Sequence, residues 1–408
     1  MIDLRKSLFF FSVVAMMGAL FLSRAVLSLS MVLFIVLSFC HKDTGKQLRS
    51  FFSTPLLWSM SLLFFMPLVS GLWSEDKQEW LSVLRLKIPL LVLPLAFAGP
   101  IRFSSKQWDW LAYLFIAFAT AGSIWSMFHY AGNMENINQS YLKAKSIATL
   151  LGNDHVRYSW VVSIVILLTA WMAWKKRKQR IAVYLLIIIM CWLIIFLHLL
   201  AARTGLFSFY IMLLVAGCWL LIKRTRRWQG AILLLSVLAL PFLAWLLFPS
   251  FQNRIKYISY DYSYFKDLKY LPGGNDVARV ISIRAGWNLL KEHPVAGTGA
   301  GDIYNKTKEW DRAKYPEILD TDMLYPSSEW LIYGLTCGWT GVLVFTIVVL
   351  IPFFNKRKPW LVWLLLNITA AFSFLFDMGL EVQYGVFVYA FIVLWWWKWF
   401  KEESVHQL

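Results

Sequence analysis

Apolar runs close to the length a bilayer demands recur along the whole chain, at roughly 8–22, 25–40, 54–73, 83–99, 109–130, 158–174, 181–200, 204–222, 230–248, 328–351, 360–377 and 384–400. A hydrocarbon core takes about 20 helical residues to cross, so each run predicts a spanning helix, the first two being short. With 59% hydrophobic residues and 17% aromatics, the chain is too apolar for one soluble core. The expected fold class is therefore an all-α polytopic membrane protein with about twelve transmembrane helices. Residues 249–327 form the one long polar segment, expected as an extracytoplasmic, partly helical loop carrying the chemistry, between spanning helices in 1–248 and 328–408.

Charge gives an orientation. The basic clusters Lys42/Lys46/Arg49, Lys175/Lys176/Arg177/Lys178/Arg180, Lys223/Arg224/Arg226/Arg227 and Lys356/Arg357/Lys358 all fall on one side of these spans. Positive residues mark the cytoplasmic side, so both termini are expected there and the 249–327 loop outside. Nearly all of the +17 net charge lies on the cytoplasmic segments. Topology explains the basicity, and nucleic-acid binding is not needed for it.

Cys40, Cys191, Cys218 and Cys337 lie in or beside spans, which leaves the outer loop without a thiol and offers no disulfide framework or zinc cage. The first apolar run lacks a small-residue cleavage site and is followed by another span, so it reads as a retained helix. No internal repeat, low-complexity tract or terminal soluble domain stands out.

Arg203 sits in a short outward connection between two long apolar runs. An arginine there opposes the positive-inside bias and is a functional candidate; the alternative is a snorkelling interfacial side chain. Arg279 lies near the start of a helix running to about Lys291, where backbone dipoles and guanidinium both favour an anion. Arg284 is five residues on, about 140° around the helix, so only one of the pair faces a given ligand. Arg279 shares its face with Gly286 and is preferred; Arg284 comes second, with a solvated face as its alternative.

Gly297-x-Gly299-x-Gly301 offers an N–H nest for phosphate or, more simply, a tight turn with Asp302 capping the next helix. Asp320-Thr321-Asp322 has the look of a paired-aspartate metal site, but a polar loop is the simpler reading. The six histidines are scattered without ligand spacing, and no metal or cofactor is expected. His155/Arg157/Tyr158, Arg85/Lys87 before Pro89, and Glu381/Gln383 before Gly385 lie at outer mouths of spans. Each group either lines a cavity or anchors the interface.

Together these pieces resemble the O-antigen ligase and polymerase superfamily of bacterial membrane glycosyltransferases. The resemblance is carried by Arg203-Thr204-Gly205, Arg279 followed by His293-Pro294-x-x-Gly297-x-Gly299-x-Gly301-Asp302, and Pro326-Ser327-Ser328-Glu329-Trp330-Leu331 leading to Gly338-Trp339-Thr340-Gly341. Leu86-Lys87-Ile88-Pro89 and Glu381-x-Gln383-Tyr384-Gly385 look like the branch found in Bacteroidetes-type bacteria.

The resemblance implies a metal-independent, inverting transferase of the bacterial inner membrane with its active site facing the periplasm. It would move a glycan from undecaprenyl pyrophosphate to lipid A-core or a similar acceptor, with repeat-unit polymerisation as the close alternative. A lipid-linked-glycan transporter ranks below, because nearly all charge lies at helix ends. By the resemblance Arg203 and Arg279 would grip the pyrophosphate, with Arg284, Lys87, Gly299, Gly301, Ser327 and Ser328 as further substrate contacts. One departure matters: ligases of the family usually carry His-Asn-Glu/Gln where this chain has Ser327-Ser328-Glu329, and serine cannot replace the histidine as base. Glu329, Asp322 or His155 takes that role, or the acceptor needs little help, or the chain binds glycan lipid without turnover.

Overall fold

The structure, a computed structural model, describes residues 2–100, 102–143, 145–151, 154–223, 226–266, 269–355 and 359–406. Arg224, Lys356, Arg357 and Lys358 of the basic clusters lie outside the described residues. The described chain is helical throughout, without a strand. In order come α1 (Ile2–Leu22), α2 (Arg24–Phe39), α3 (Thr44–Ser53), α4 (Pro55–Ser70), α5 (Lys77–Phe97), α6 (Ser105–Gly132), α7 (Met134–Ser140), α8 (His155–Lys175) and α9 (Arg180–Leu200). The second half holds α10 (Arg203–Ile222), α11 (Arg227–Leu247), α12 (Pro249–Lys266), α13 (Asn275–Glu292), α14 (Ile303–Lys314), α15 (Glu329–Phe354), α16 (Trp360–Phe376) and α17 (Gln383–His406).

Each of the twelve expected spans falls on a helix, yet they are not twelve equal crossings. Among the described residues eight helices are long and apolar enough to cross a bilayer, or nine if the bent pair α2 and α3, 109° apart, is one span. The helices α4 and α16 are apolar but shorter, and α17 is not among the eight. The chain is an all-α, multi-pass membrane protein. Its polar segment between α11 and α15 carries α12, α13 and α14.

Local chemistry sets several helix starts. Ser104 and Gln107 form a capping box at α6, Asp76 caps α5 through Glu79 N–H, and Asp154 caps α8 through Arg157 N–H; each satisfies a donor the first helical turn leaves free. Within α15 the helix breaks at Cys337 and Gly338, where Gly338 takes φ +66°. A Cβ at Gly338 would clash with the carbonyl oxygens of Pro294 and Val295. Trp339 N–H then donates to Pro294 at 2.9 Å, so the segment after α13 docks into the break.

Enclosed on most faces, α8 packs against α6, α9, α10, α16 and α17. At its C-terminal end Lys175 and Lys176 reach Asp109 of α6 at 2.6 and 2.5 Å, and Lys175 also pairs with Glu403 of α17. Trp395, Trp396 and Trp399 of α17 are fully buried beside it. At the opposite end of α8 lie the α9–α10 turn, the end of α16 and the helices of the polar segment.

Candidate functional site

A cavity of about 580 Å³ opens where α10, α12, α13 and α16 meet, and Arg203, Asp276, Arg279, Ser373 and Asp377 line it. Phe207, Ile283, Phe372 and Phe376 supply an apolar wall. The two arginines expected to act together thus face one space although they come from separate parts of the chain.

Arg203 is fixed by its neighbours in sequence. α9 ends with Ala201 in the left-handed region, φ 48°, which turns the chain into α10 after one more residue. Gly205 lies so close to α8 that a Cβ would clash with Ser159, and its N–H donates to Ser159 Oγ at 3.1 Å. Arg203 therefore leaves α10 in its first turn, pinned against α8, and donates to the carboxylate of Asp276.

Arg279 is positioned by α12. The fully buried Asp261 accepts the N–H of Asp276 at 2.8 Å and of Val277 at 3.4 Å, with Tyr257 O–H on the same carboxylate at 3.0 Å. This cap starts α13 and brings Arg279 one turn later onto the cavity wall, where Nη1 donates to Phe376 O at 3.4 Å. Burial pulls the Arg279 guanidinium below its ordinary range; Asp377 opposes this, and the charge of Arg203 adds to it. An anion in the cavity would relieve both effects.

Two more arginines stand behind the pair. Arg157 binds Asp377 at 3.3 Å and the carbonyl of Met378 at 3.1 Å. Arg254, buried, donates Nε to Ala201 O at 3.3 Å and lies over the Tyr141 ring at 5.5 Å, while its Nη1 has no hydrogen-bond partner. Burial and the charge of Arg203 hold Arg254 below its ordinary value. His155 sits where the charges of Arg157, Arg203, Arg254 and Arg279 all reach it. Arg254, Asp276 and Asp377 do not stand out in the sequence: Arg254 lies in an unremarkable amphipathic run, and Asp377 is a lone acid at a span's end. The nearest signal is the spacing of Asp276 and Arg279, one turn apart on one helix.

Other expected site residues go elsewhere. Arg284 does not line this cavity, as its 140° offset from Arg279 requires. The N–H groups of the glycine-rich turn are spent on protein acceptors: Thr298 and Gly299 on Leu335 O at 2.7 and 3.1 Å, Ala300 on Ser70 Oγ at 3.1 Å and Gly301 on Ser74 Oγ at 3.2 Å. Gly299 and Gly301 therefore form no free phosphate nest; they let the turn dock on α4, α5 and α15. Asp302 begins α14 without capping it and accepts instead from Glu75 and Asp76 N–H at 2.8 and 2.9 Å.

Lys87 is buried in a 2.5 Å ion pair with Glu381, close to Tyr333 Oη at 3.3 Å, so its charge is already matched. Glu329, 0% exposed, accepts Leu380 N–H at 2.5 Å while its other oxygen has no partner. Ser327 is buried against Ser282, with 3.1 Å between hydroxyls, and Ser328 is buried as the residue before α15. Asp322 accepts from Tyr270 O–H at 2.5 Å and Gly273 N–H at 2.7 Å, holding the loop. Its neighbour Asp320 pairs with Arg312 at 2.9 Å. Among the described residues no cluster of His, Cys, Asp and Glu has the arrangement of a metal site. Of the three expected bases only His155 stands beside the arginines.

Comparison with curated proteins gives no match. Residues 190–346, from within α9 to within α15, match the family described as O-antigen ligase. The matched stretch contains Arg203, Arg254 and Arg279, and it indicates a ligase- or polymerase-like glycosyltransferase function acting on lipid-linked glycan. The match, over a little more than a third of this membrane protein, supports a relation to the O-antigen ligase and polymerase superfamily.

Proposed function

We propose that the protein transfers a glycan from undecaprenyl pyrophosphate to an acceptor hydroxyl at the outer face of the bacterial inner membrane, ligating O-antigen or a similar polysaccharide to lipid A-core. The observation that carries this reading is the common cavity of Arg203 and Arg279, with Arg157 and Arg254 behind them. Four guanidiniums meet the carboxylates of Asp154, Asp276 and Asp377 there. The balance of these groups is net positive, and planar guanidinium forks suit a pyrophosphate.

In the reaction the acceptor oxygen attacks the anomeric carbon as the carbon–oxygen bond to the pyrophosphate breaks. Negative charge grows on the leaving phosphate, and preformed guanidiniums stabilise it without reorganising. The acceptor proton needs a base on the opposite side of the sugar. Arg203 holds Asp276 closely whereas Arg157 reaches Asp377 only at 3.3 Å, so Asp377, which faces the same cavity, is the carboxylate we assign, with His155 nearby as the second candidate. The apolar wall of Phe207, Phe372 and Phe376 suits the first isoprene units of the donor.

Reconstitution with a lipid-pyrophosphate donor and a purified acceptor tests this directly: wild-type protein forms glycosylated acceptor without added metal, and Arg203→Ala and Arg279→Ala do not. Polymerisation uses the same donor end. Cells lacking the protein accumulate long lipid-linked polymer if it ligates and single-repeat glycolipid if it polymerises.

A further inference from the structure

A second cavity of about 580 Å³ lies between α2 and α5, and its lining changes character with depth. One end is polar. Gln383 donates to Ser28 Oγ at 3.0 Å, Tyr325 O–H donates to Glu79 at 2.8 Å, and Glu381 and Arg85 complete that rim. The other end is apolar, with Met31, Val32 and Ile35 of α2 facing Ile88 and Val92 of α5. From Glu79 to Val92 is about 20 Å along a helix, roughly two thirds of a hydrocarbon core. Val32 and Ile88 are 58% and 44% exposed, so the groove opens sideways on the membrane-facing flank of the bundle.

The polar end lies on the same side as the arginine cavity. Asp377 lines the arginine cavity and Glu381, four residues on, lines this one. Glu329 accepts Leu380 N–H from the turn between them. Arg85 is exposed, and neither an ion pair nor a hydrogen bond of its side chain occurs among the described residues. It is the cation of this rim whose charge is unmatched, since Lys87 is paired with Glu381.

A polar mouth with a free guanidinium above a lipid-open apolar groove is complementary to one kind of molecule. We propose that the α2–α5 cavity binds a phosphate-bearing lipid, its phosphate on Arg85, its head-group hydroxyls against Glu79 and Gln383, and an acyl chain along Val32, Ile35, Ile88 and Val92. Its role follows from the proposed function, on which that part rests: the lipid is the anchor of the acceptor, held beside the donor with the 377–381 turn between them.

The test uses the purified full chain carrying Arg203→Ala and Arg279→Ala, so that the arginine cavity does not compete for phosphate. Dioctanoyl phosphatidic acid is titrated against it, with dioctanoylglycerol and inorganic phosphate as the tail-only and head-only probes. The phosphatidic acid binds, and both control probes bind at least about tenfold more weakly, the equivalent of one charge-assisted contact. Adding Arg85→Ala weakens the phosphatidic acid about tenfold, and Val32→Trp, which fills the groove at an exposed position, does the same. Unchanged binding in both variants overturns the site. Equal binding of inorganic phosphate overturns the lipid assignment, and equal binding of dioctanoylglycerol overturns the role of Arg85. Glycan transfer persisting in the Arg203→Ala/Arg279→Ala protein would defeat the proposed function and leave this binding result standing.

Discussion

Arg203 of α10 donates to the carboxylate of Asp276 at the start of α13, and the backbone N–H of that same Asp276 is held by Asp261 of α12. One buried carboxylate thus fixes where both arginine-bearing elements meet. Replacing Asp261 by Ala strands the N–H groups of Asp276 and Val277 in a buried place. The expected cost is about 1–3 kcal/mol, from a lost cap and unsatisfied donors. Thermal unfolding and limited proteolysis of the 249–327 segment check it, with cleavage near α13 appearing before global unfolding.

The break in α15 is a second fixed point. Gly338→Ala puts a side chain at φ +66° and against the carbonyls of Pro294 and Val295. Strain at such a position costs roughly 1–3 kcal/mol. The variant is expected to melt lower than wild type, whereas Gly45→Ala, where a Cβ meets nothing, should melt like wild type.

Asp311 of α14 gives a pH dependence. It is 1% exposed and one carboxylate oxygen has no partner, and burial raises its pKa from 3.8 to about 7. The folded state therefore keeps a proton that the unfolded state has lost between those values, so this residue lowers stability as pH rises from about 4 to 7. Asp311→Asn removes that dependence. Melting curves from pH 4 to 8 should show the variant gaining on wild type as pH rises, with the full difference reached above about 7.

Much of the fold is legible in the sequence because a bilayer demands long apolar helices, and all twelve expected runs are helical. Their inequality is not legible there: α2 turns sharply into α3, and α4 and α16 form shorter helices than the other spans, which the pattern of apolar runs does not reveal. The site divides in the same way. Arg203 and Arg279 stand out because an arginine in a short connection between apolar runs opposes the charge bias expected there and a helix start attracts anions. The glycines suggest phosphate, yet their N–H groups answer to Leu335, Ser70 and Ser74, and a pattern of glycines cannot reveal which acceptors will arrive. Lys87 and Glu329 are polar at a span's mouth but are spent within the bundle, a matter of tertiary pairing alone. Asp377 carries no local signal, since its importance comes from Arg157 and Arg279 reaching it from other helices.

Asp377→Asn separates chemistry from binding. If the carboxylate takes the acceptor's proton, transfer falls on the order of 10²-fold at saturating donor while the donor KM holds. A change confined to donor KM would mean that Asp377 only orients Arg157 and Arg279. The same assay on His155→Gln shows which of the two groups takes the proton.

Transfer of glycan from a lipid-pyrophosphate donor by folded Arg203→Ala and Arg279→Ala proteins, measured beside wild type, bears most directly on the shared cavity. Each variant is expected to keep its melting temperature within a few degrees and to lose at least about 10²-fold in rate, the scale of a removed charge-stabilising donor. Wild-type rates in both variants would contradict the account.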